Sequence, residues 1–188
     1  VLDSERHRGA FPVIRLRPIR NETLYLSPDD LLRLQKEQHK HDCRNHADIH
    51  SLHKVERLKH YGLHFCKYLG RLARSSEAVD VQPTLTDAFL VALSAANTLH
   101  QDLSRLTFPY KSLATKEAFY TFADAAGRFA DACEKIDHIE EFVEMARAAN
   151  RDIIVCIGSM ALDLQFDLQK SIKDRRSQLR ERAFYIED

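Results

Sequence analysis

An all-α helical bundle carrying an extended N-terminal arm is the fold class that this sequence predicts, and three observations lead there. Breakers are scarce, with five glycines and five prolines in 188 residues, which suits long uninterrupted helices. Apolar residues recur at helical spacing, as in Tyr61, Phe65, Tyr68 and Leu72, and no alternation of strands and helices follows residue 26. Two stretches also repeat each other. Asp87 to Leu103 lies on Asp152 to Leu168 without a gap, matching Asp, Ser, Ala, Leu, Asp and Leu at a constant offset of 65 (152 − 87). Upstream, Phe65, Gly70, Arg71 and Ala73 match Phe122, Gly127, Arg128 and Ala130 at an offset of 57 (122 − 65). A helical unit has been duplicated, with a longer loop inside the second copy.

The elements follow in order. Residues 1–26 hold two of the five prolines and short apolar alternations without helical period, so they read as an arm lying on the body or on a partner. Residues 27–188 read as one all-α domain with repeat units at about 51–103 and 115–182. Ser27, Pro28, Asp29 and Asp30 supply an N-cap, a proline at the first helical position and acids for the helix dipole. The helix they open runs to the histidine-rich stretch His39 to His46. A second helix is expected from Ser51 to Arg74. Pro83 and the Thr84-x-x-Asp87 box open a third, apolar over most of its circumference through Leu99, as a central bundle helix must be. Phe108-Pro109-Tyr110 breaks the chain before a fourth helix from Thr115 to Ile136. Asp137-x-x-Glu140 is expected to cap a fifth, which continues or kinks near Asn150 into the apolar run Ile153 to Leu164. A charged helix, Lys170 to Arg182, closes the domain.

Charge and composition exclude several classes. Lys+Arg and Asp+Glu are equal at 28 each, so no overall field draws the chain to nucleic acid or anionic lipid. No apolar run is long enough to span a bilayer, and the start lacks a signal-peptide core; the cytosol is the expected compartment. The four cysteines, Cys43, Cys66, Cys133 and Cys156, form no CxxC pair, and three sit among apolar neighbours, a pattern of buried thiols. No GxSxG, GxGxxG or GxxxxGK[ST] motif occurs. The basic residues from Lys170 to Arg182 are interleaved with acids and lack stacking aromatics, so a solvated helix accounts for them better than nucleic-acid binding.

The repeated unit resembles the MazG-type all-α nucleoside triphosphate pyrophosphohydrolase superfamily. Lys67-Tyr68-Leu69-Gly70-Arg71-Leu72-Ala73 stands where that family has E-E-L-G-E-L-A, Thr84-x-x-Asp87 where it has E-x-x-D, and Leu99-His100-Gln101-Asp102-Leu103 imitates the turn that follows. The second unit offers Asp124 to Ala130, then Ala149-x-x-Asp152 and Leu164 to Leu168. The resemblance covers about residues 55–182 and implies a four-helix core from paired units, formed by the tandem repeat or by dimerisation, so a homo-oligomer is expected. It also implies Mg²⁺ held by clustered carboxylates against a triphosphate. Here Lys67, Tyr68, Arg71 and Thr84 replace all of those carboxylates in the first unit except Asp87, and Asp124 and Asp152 alone survive in the second. Asp87, Asp124 and Asp152 are therefore the metal candidates that the resemblance leaves, with Glu117 a further carboxylate nearby in sequence.

Candidate sites come from helical spacing. His60, His64, Lys67 and Arg71 fall at i, i+4, i+7 and i+11, on one face beside the aromatic stripe. Such a face can grip phosphate oxygens, with Asp87 on the facing helix orienting Arg71 or His64. The competing reading is a solvated face, with Arg71 and Arg128 paired structurally to Asp87 and Asp152. His46 and His50, again one turn apart, suit a transition metal such as Zn²⁺, which is less expected here than Mg²⁺, with Asp42, Asp48 or Glu56 as third ligand. A histidine cluster without metal is the alternative. Asn97 is expected to make a buried structural hydrogen bond. Three functions remain: a MazG-like protein binding a nucleotide or other phosphorylated small molecule, a histidine-dependent metallohydrolase, and a non-catalytic dimerisation or adaptor module.

Overall fold

The computed structural model describes residues 26–75, 78–105 and 115–182, without the side chains of 78–80, 115 and 182. The expected arm, apart from Leu26, and the break at Phe108-Pro109-Tyr110 lie outside them. Seven α-helices and one 3₁₀ turn, with no strand among the described residues, make the fold all-α: α1 Pro28–Asn45, α2 Ala47–His50, α3 Lys54–Arg74, α4 Ala78–Thr98, the 3₁₀ turn Leu103–Arg105, α5 Thr115–Asp137, α6 Val143–Asp163 and α7 Leu168–Arg182. No described helix is long and apolar enough to cross a membrane.

Local chemistry starts α1 as expected. The Ser27 hydroxyl accepts from the Asp30 amide while the Asp30 carboxylate accepts from the Ser27 amide, with Pro28 at the first position, so two orphan amides are satisfied reciprocally. Two expectations need correction. The helix α4 opens at Ala78 and carries Pro83 inside it, at the loss of one ladder hydrogen bond. Asp137 ends α5 rather than capping α6, because its carboxylate is taken by Lys59 at 2.6 Å; α6 starts at Val143 and runs through Asn150 unbroken. The first helix ends at Asn45, in the histidine-rich stretch as expected, and the His46 backbone (φ −134°, ψ 41°) separates it from the single turn α2.

Two hairpins, α3–α4 and α5–α6, pack with α3 on α5 and α4 on α6. Their shared core contains Phe65, Phe89, Phe122 and Phe129, all fully buried, and the rings of Phe65 and Phe129 meet edge to face at 5.0 Å. The helix α4 is the most enclosed, with Leu85, Ala88, Phe89, Ala92, Leu93, Ala95 and Ala96 inaccessible to solvent. Asn150 joins α6 to it by donating to the Ala92 carbonyl at 3.1 Å. Asn97 donates to the Gln35 carbonyl at 3.1 Å, the structural use expected of it.

The ends of α4 and α6 are built by the same bonds at the offset of the repeat. The Gln101 amide donates to the Ala96 carbonyl and the Phe166 amide to Ala161, and His100 and Gln165 adopt positive φ, 51° and 56°. Both are six-residue closures around a left-handed residue. Each is followed by an aspartate accepting a backbone amide, Asp102 from Ser104 and Asp167 from Lys170, and by a buried leucine, Leu103 or Leu168. The first continuation is a single 3₁₀ turn. The second is the whole of α7, which lies on α1 and α4.

The helix α7 is less solvated than its charge suggests. Ile172 is fully buried, and the Arg176 side chain, 12% exposed, donates to the Leu34 carbonyl, Gln38 and Glu37 of α1. The four cysteines are all free thiols. Cys156 is buried and Cys133 half-buried, but Cys66 is exposed on the outer face of α3, which departs from the buried-thiol pattern.

Candidate functional site

Five helices enclose a cleft of about 480 Å³, a size that suits a small-molecule ligand. Its walls bring together His46, His50, His60, His64, Lys67, Arg71 and Asp87, the residues singled out by helical spacing. The helix α1 adds Gln38 and Asp42, α4 adds Leu90, Val91 and Ser94, and α7 adds Arg175 and Leu179.

On α3, Tyr61, Phe65, Tyr68 and Leu72 go into the core, which rotates the adjacent polar stripe into the cleft. His64 is the hub of this stripe. Its Nδ1 lies 3.0 Å from both the Lys67 ammonium and the Tyr68 hydroxyl. An ammonium has nothing but donors, so Nδ1 accepts and the ring proton sits on Nε2. Burial, reinforced by the charges of Lys67 and His60, lowers the His64 pKa to about 4. Lys67 also lies over the Tyr68 ring, 4.7 Å from its centroid, and burial together with Arg71 lowers its pKa. Among the described residues no carboxylate lies within ion-pair distance of Lys67.

Asp87 faces this stripe from α4. Arg175 of α7 donates to both of its oxygens, at 2.6 and 3.2 Å, and Arg71 stands further off at 3.8 Å. In the second unit Arg128 donates to Asp124 and Asp152, each at 2.9 Å, and Arg151 takes the other oxygen of Asp152. The paired Arg-Asp reading therefore describes the geometry in both units, tightly in the second and loosely in the first. Asp124 and Asp152 meet on the one Arg128 guanidinium while Asp87 is held by Arg175, and among the described residues the three do not form one metal-binding group. The matched glycines are not required for close packing. A methyl on Gly127 would meet nothing within 4 Å, and one on Gly70 would touch the tip of Arg74 alone.

His46 and His50 both reach the cleft. His46 lies outside both helices but caps α2, where the His50 amide donates to the His46 carbonyl at 2.8 Å. The His46 ring packs on His41 at 5.4 Å between centroids, and the His50 ring on His39 at 5.5 Å.

Two contributors are not evident as such from the sequence. Asp42, expected at most as a metal ligand, lies buried in the cleft wall, accepting from Ser94 at 2.6 Å and Gln38 at 2.8 Å, and burial raises its pKa. A signal for it exists: Gln35, Gln38 and Asp42 occupy the core-facing positions of α1 that Leu31 and Leu34 begin. Arg175 carries no signal, since nothing in a mixed charge run sets one arginine apart. A broader groove of about 980 Å³ between α1 and α7 is lined by Arg33, Lys40, Lys173 and Arg180 among others, but none of the residues expected from spacing reaches it.

Comparison of the chain with protein-family models, with curated proteins and with solved structures returned no match.

Proposed function

We propose that the cleft between α1, α3, α4 and α7 binds a nucleotide or another phosphorylated small molecule, and that the chain is a degenerate, duplicated relative of the MazG-type superfamily. The observation that carries the reading is Lys67. Its ammonium is placed on a neutral imidazole and an aromatic face, with no carboxylate among the described residues within ion-pair distance, and a cation without a direct ion-pair partner in a partly enclosed site is a ready partner for phosphate oxygens. Arg71, held at 3.8 Å from Asp87, can turn to the same anion. Tyr61, Tyr68, Leu90, Val91 and Leu179 offer the apolar surface that a nucleoside needs.

The matching helix ends of α4 and α6, and the Arg-Asp pairs that recur in both units, support descent from a duplicated unit. On this reading the scaffold persists while the metal-binding glutamates have given way to cations. The four-helix core is made within one chain, and a bound phosphate is held by Lys67, Arg71 and His64 rather than by Mg²⁺.

The test is calorimetric titration with inorganic pyrophosphate and with nucleoside mono- and triphosphates, comparing the wild type with Arg71→Ala and Lys67→Ala. Loss of about tenfold or more in affinity in each variant is expected, since a charge-assisted hydrogen bond contributes about 1.5–3 kcal/mol. Binding that is unchanged in both variants of intact fold would move the anion site to the groove between α1 and α7 and sink the reading.

A further inference from the structure

We propose that His39, Cys43 and His50 form a binding site for one Zn²⁺ ion at the outer edge of the α1–α2 corner. His39 and Cys43 lie one turn apart on α1. His50 joins them because the chain breaks at His46 and the turn α2 folds back along the end of α1. The candidate donor atoms of all three lie within 4.8 Å of one another.

The geometry is close to what the metal requires. With Zn–N near 2.05 Å and Zn–S near 2.3 Å, two ligands at a tetrahedral angle stand about 3.6 Å apart. The Cys43 Sγ lies 3.5 Å from His50 Nε2 and 3.7 Å from His39 Nε2. A thiolate with two imidazoles is a borderline-to-soft donor set that suits Zn²⁺ and does not suit Mg²⁺ or Ca²⁺. His39 and Cys43 are exposed, so little desolvation opposes binding, and the fourth position opens to water. Capture deprotonates Cys43, and its proton passes to solvent. The Nδ1 of His50 faces the Arg57 guanidinium at 3.5 Å. Coordination through Nε2 leaves the ring proton on Nδ1, so Arg57 must turn aside as the ion enters.

The site shares His50 with the cleft wall but none of the groups assigned to phosphate there, and its test involves no phosphate, so its outcome is read independently of that assignment. Tag-free full-length protein is titrated with Co²⁺ and then Zn²⁺, following the sulfur-to-cobalt charge-transfer band and Zn²⁺ stoichiometry by competition with a chromogenic chelator. One ion per chain and a thiolate band displaced by Zn²⁺ are expected. Cys43→Ser should abolish the band, while Cys66→Ser and His46→Ala leave it intact. His39→Ala and His50→Ala should each weaken Zn²⁺ at least about tenfold, no less than the loss of an outer-shell partner costs. No band in the wild type, a band that survives Cys43→Ser, or equal weakening by His46→Ala would overturn the assignment; far-ultraviolet circular dichroism checks that each variant is folded.

Discussion

Arg175 donates from α7 to both carboxylate oxygens of Asp87 on α4, at 2.6 and 3.2 Å. This contact spans 88 residues of sequence (175 − 87) and fastens the last helix over the cleft. The two side chains are only 25% and 16% exposed, so the pair is partly shielded from solvent. Arg175→Ala is expected to destabilise the fold by about 1–3 kcal/mol. Arg175→Lys should recover part of that loss, because an ammonium cannot reproduce the two-pronged contact. Urea unfolding of the three proteins checks this, and equal midpoints would show the pair to be idle.

Hydrolysis of ordinary nucleoside triphosphates to monophosphate and pyrophosphate should be at background with Mg²⁺ present. Triphosphate cleavage on a metal needs converging carboxylates, and here Asp87, Asp124 and Asp152 are each engaged by arginine. Pyrophosphate release is the assay. Turnover comparable to that of ordinary enzymes, and lost in Asp87→Asn, is the outcome that contradicts it.

Acid should destabilise the protein earlier than carboxylate titration alone would. Burial lowers His41 and His64 to about 4 from the usual 6.5. The unfolded chain thus binds more protons than the folded one between those values. The stabilisation is complete above pH 6.5 and is lost as pH falls toward 4, by on the order of 3 kcal/mol for each group. The His41 Nε2 is also buried without a partner. His41→Leu should therefore raise stability at neutral pH and flatten the decline from pH 6.5 to 4. Melting temperatures across that range that fall just as steeply in the variant would refute this.

Three left-handed residues invite a backbone test. His100, Gln165 and Ile139 have φ of 51°, 56° and 60°, and their side chains are exposed, Ile139 by 96%. A left-handed backbone costs a residue with a Cβ about 1–2 kcal/mol, most for a β-branched one. Glycine at each position should add about 1 kcal/mol of stability, with Ile139→Gly the largest gain. Gly127→Ala, in open space within a helix, should add a similar amount by propensity. Thermal denaturation ranks the four, and a loss at any of them would mean its side chain has a partner.

Elements governed by neighbouring residues are legible in the sequence, and those governed by distant ones are not. The Ser27 capping box and the buried stripe of α3 are local or periodic patterns, and both occur as expected. Asp137 imitates an N-cap, but its partner Lys59 lies on another helix. The break at His46 has no glycine or proline to announce it, so the corner that folds His50 back beside His39 and Cys43 is not legible. Four cleft residues on α3 and Asp87 on α4 follow from spacing and from the repeat. Arg175 and Arg176 belong to a run in which only tertiary contact distinguishes a buried arginine from a solvated one.

The two matched helix ends lead into unlike continuations, a single 3₁₀ turn after α4 and a full helix after α6. Because α7 returns to the first hairpin, Asp87 is clasped by an arginine from outside its own unit, whereas Asp152 is served within its own neighbourhood. The two matched hairpins thus hold their aspartates by different means. Asp87 looks into a recess and is tied to the last helix, so the first hairpin is braced across the fold, while Asp152 is tied to Arg128 and Arg151 of its own hairpin, which is braced from within.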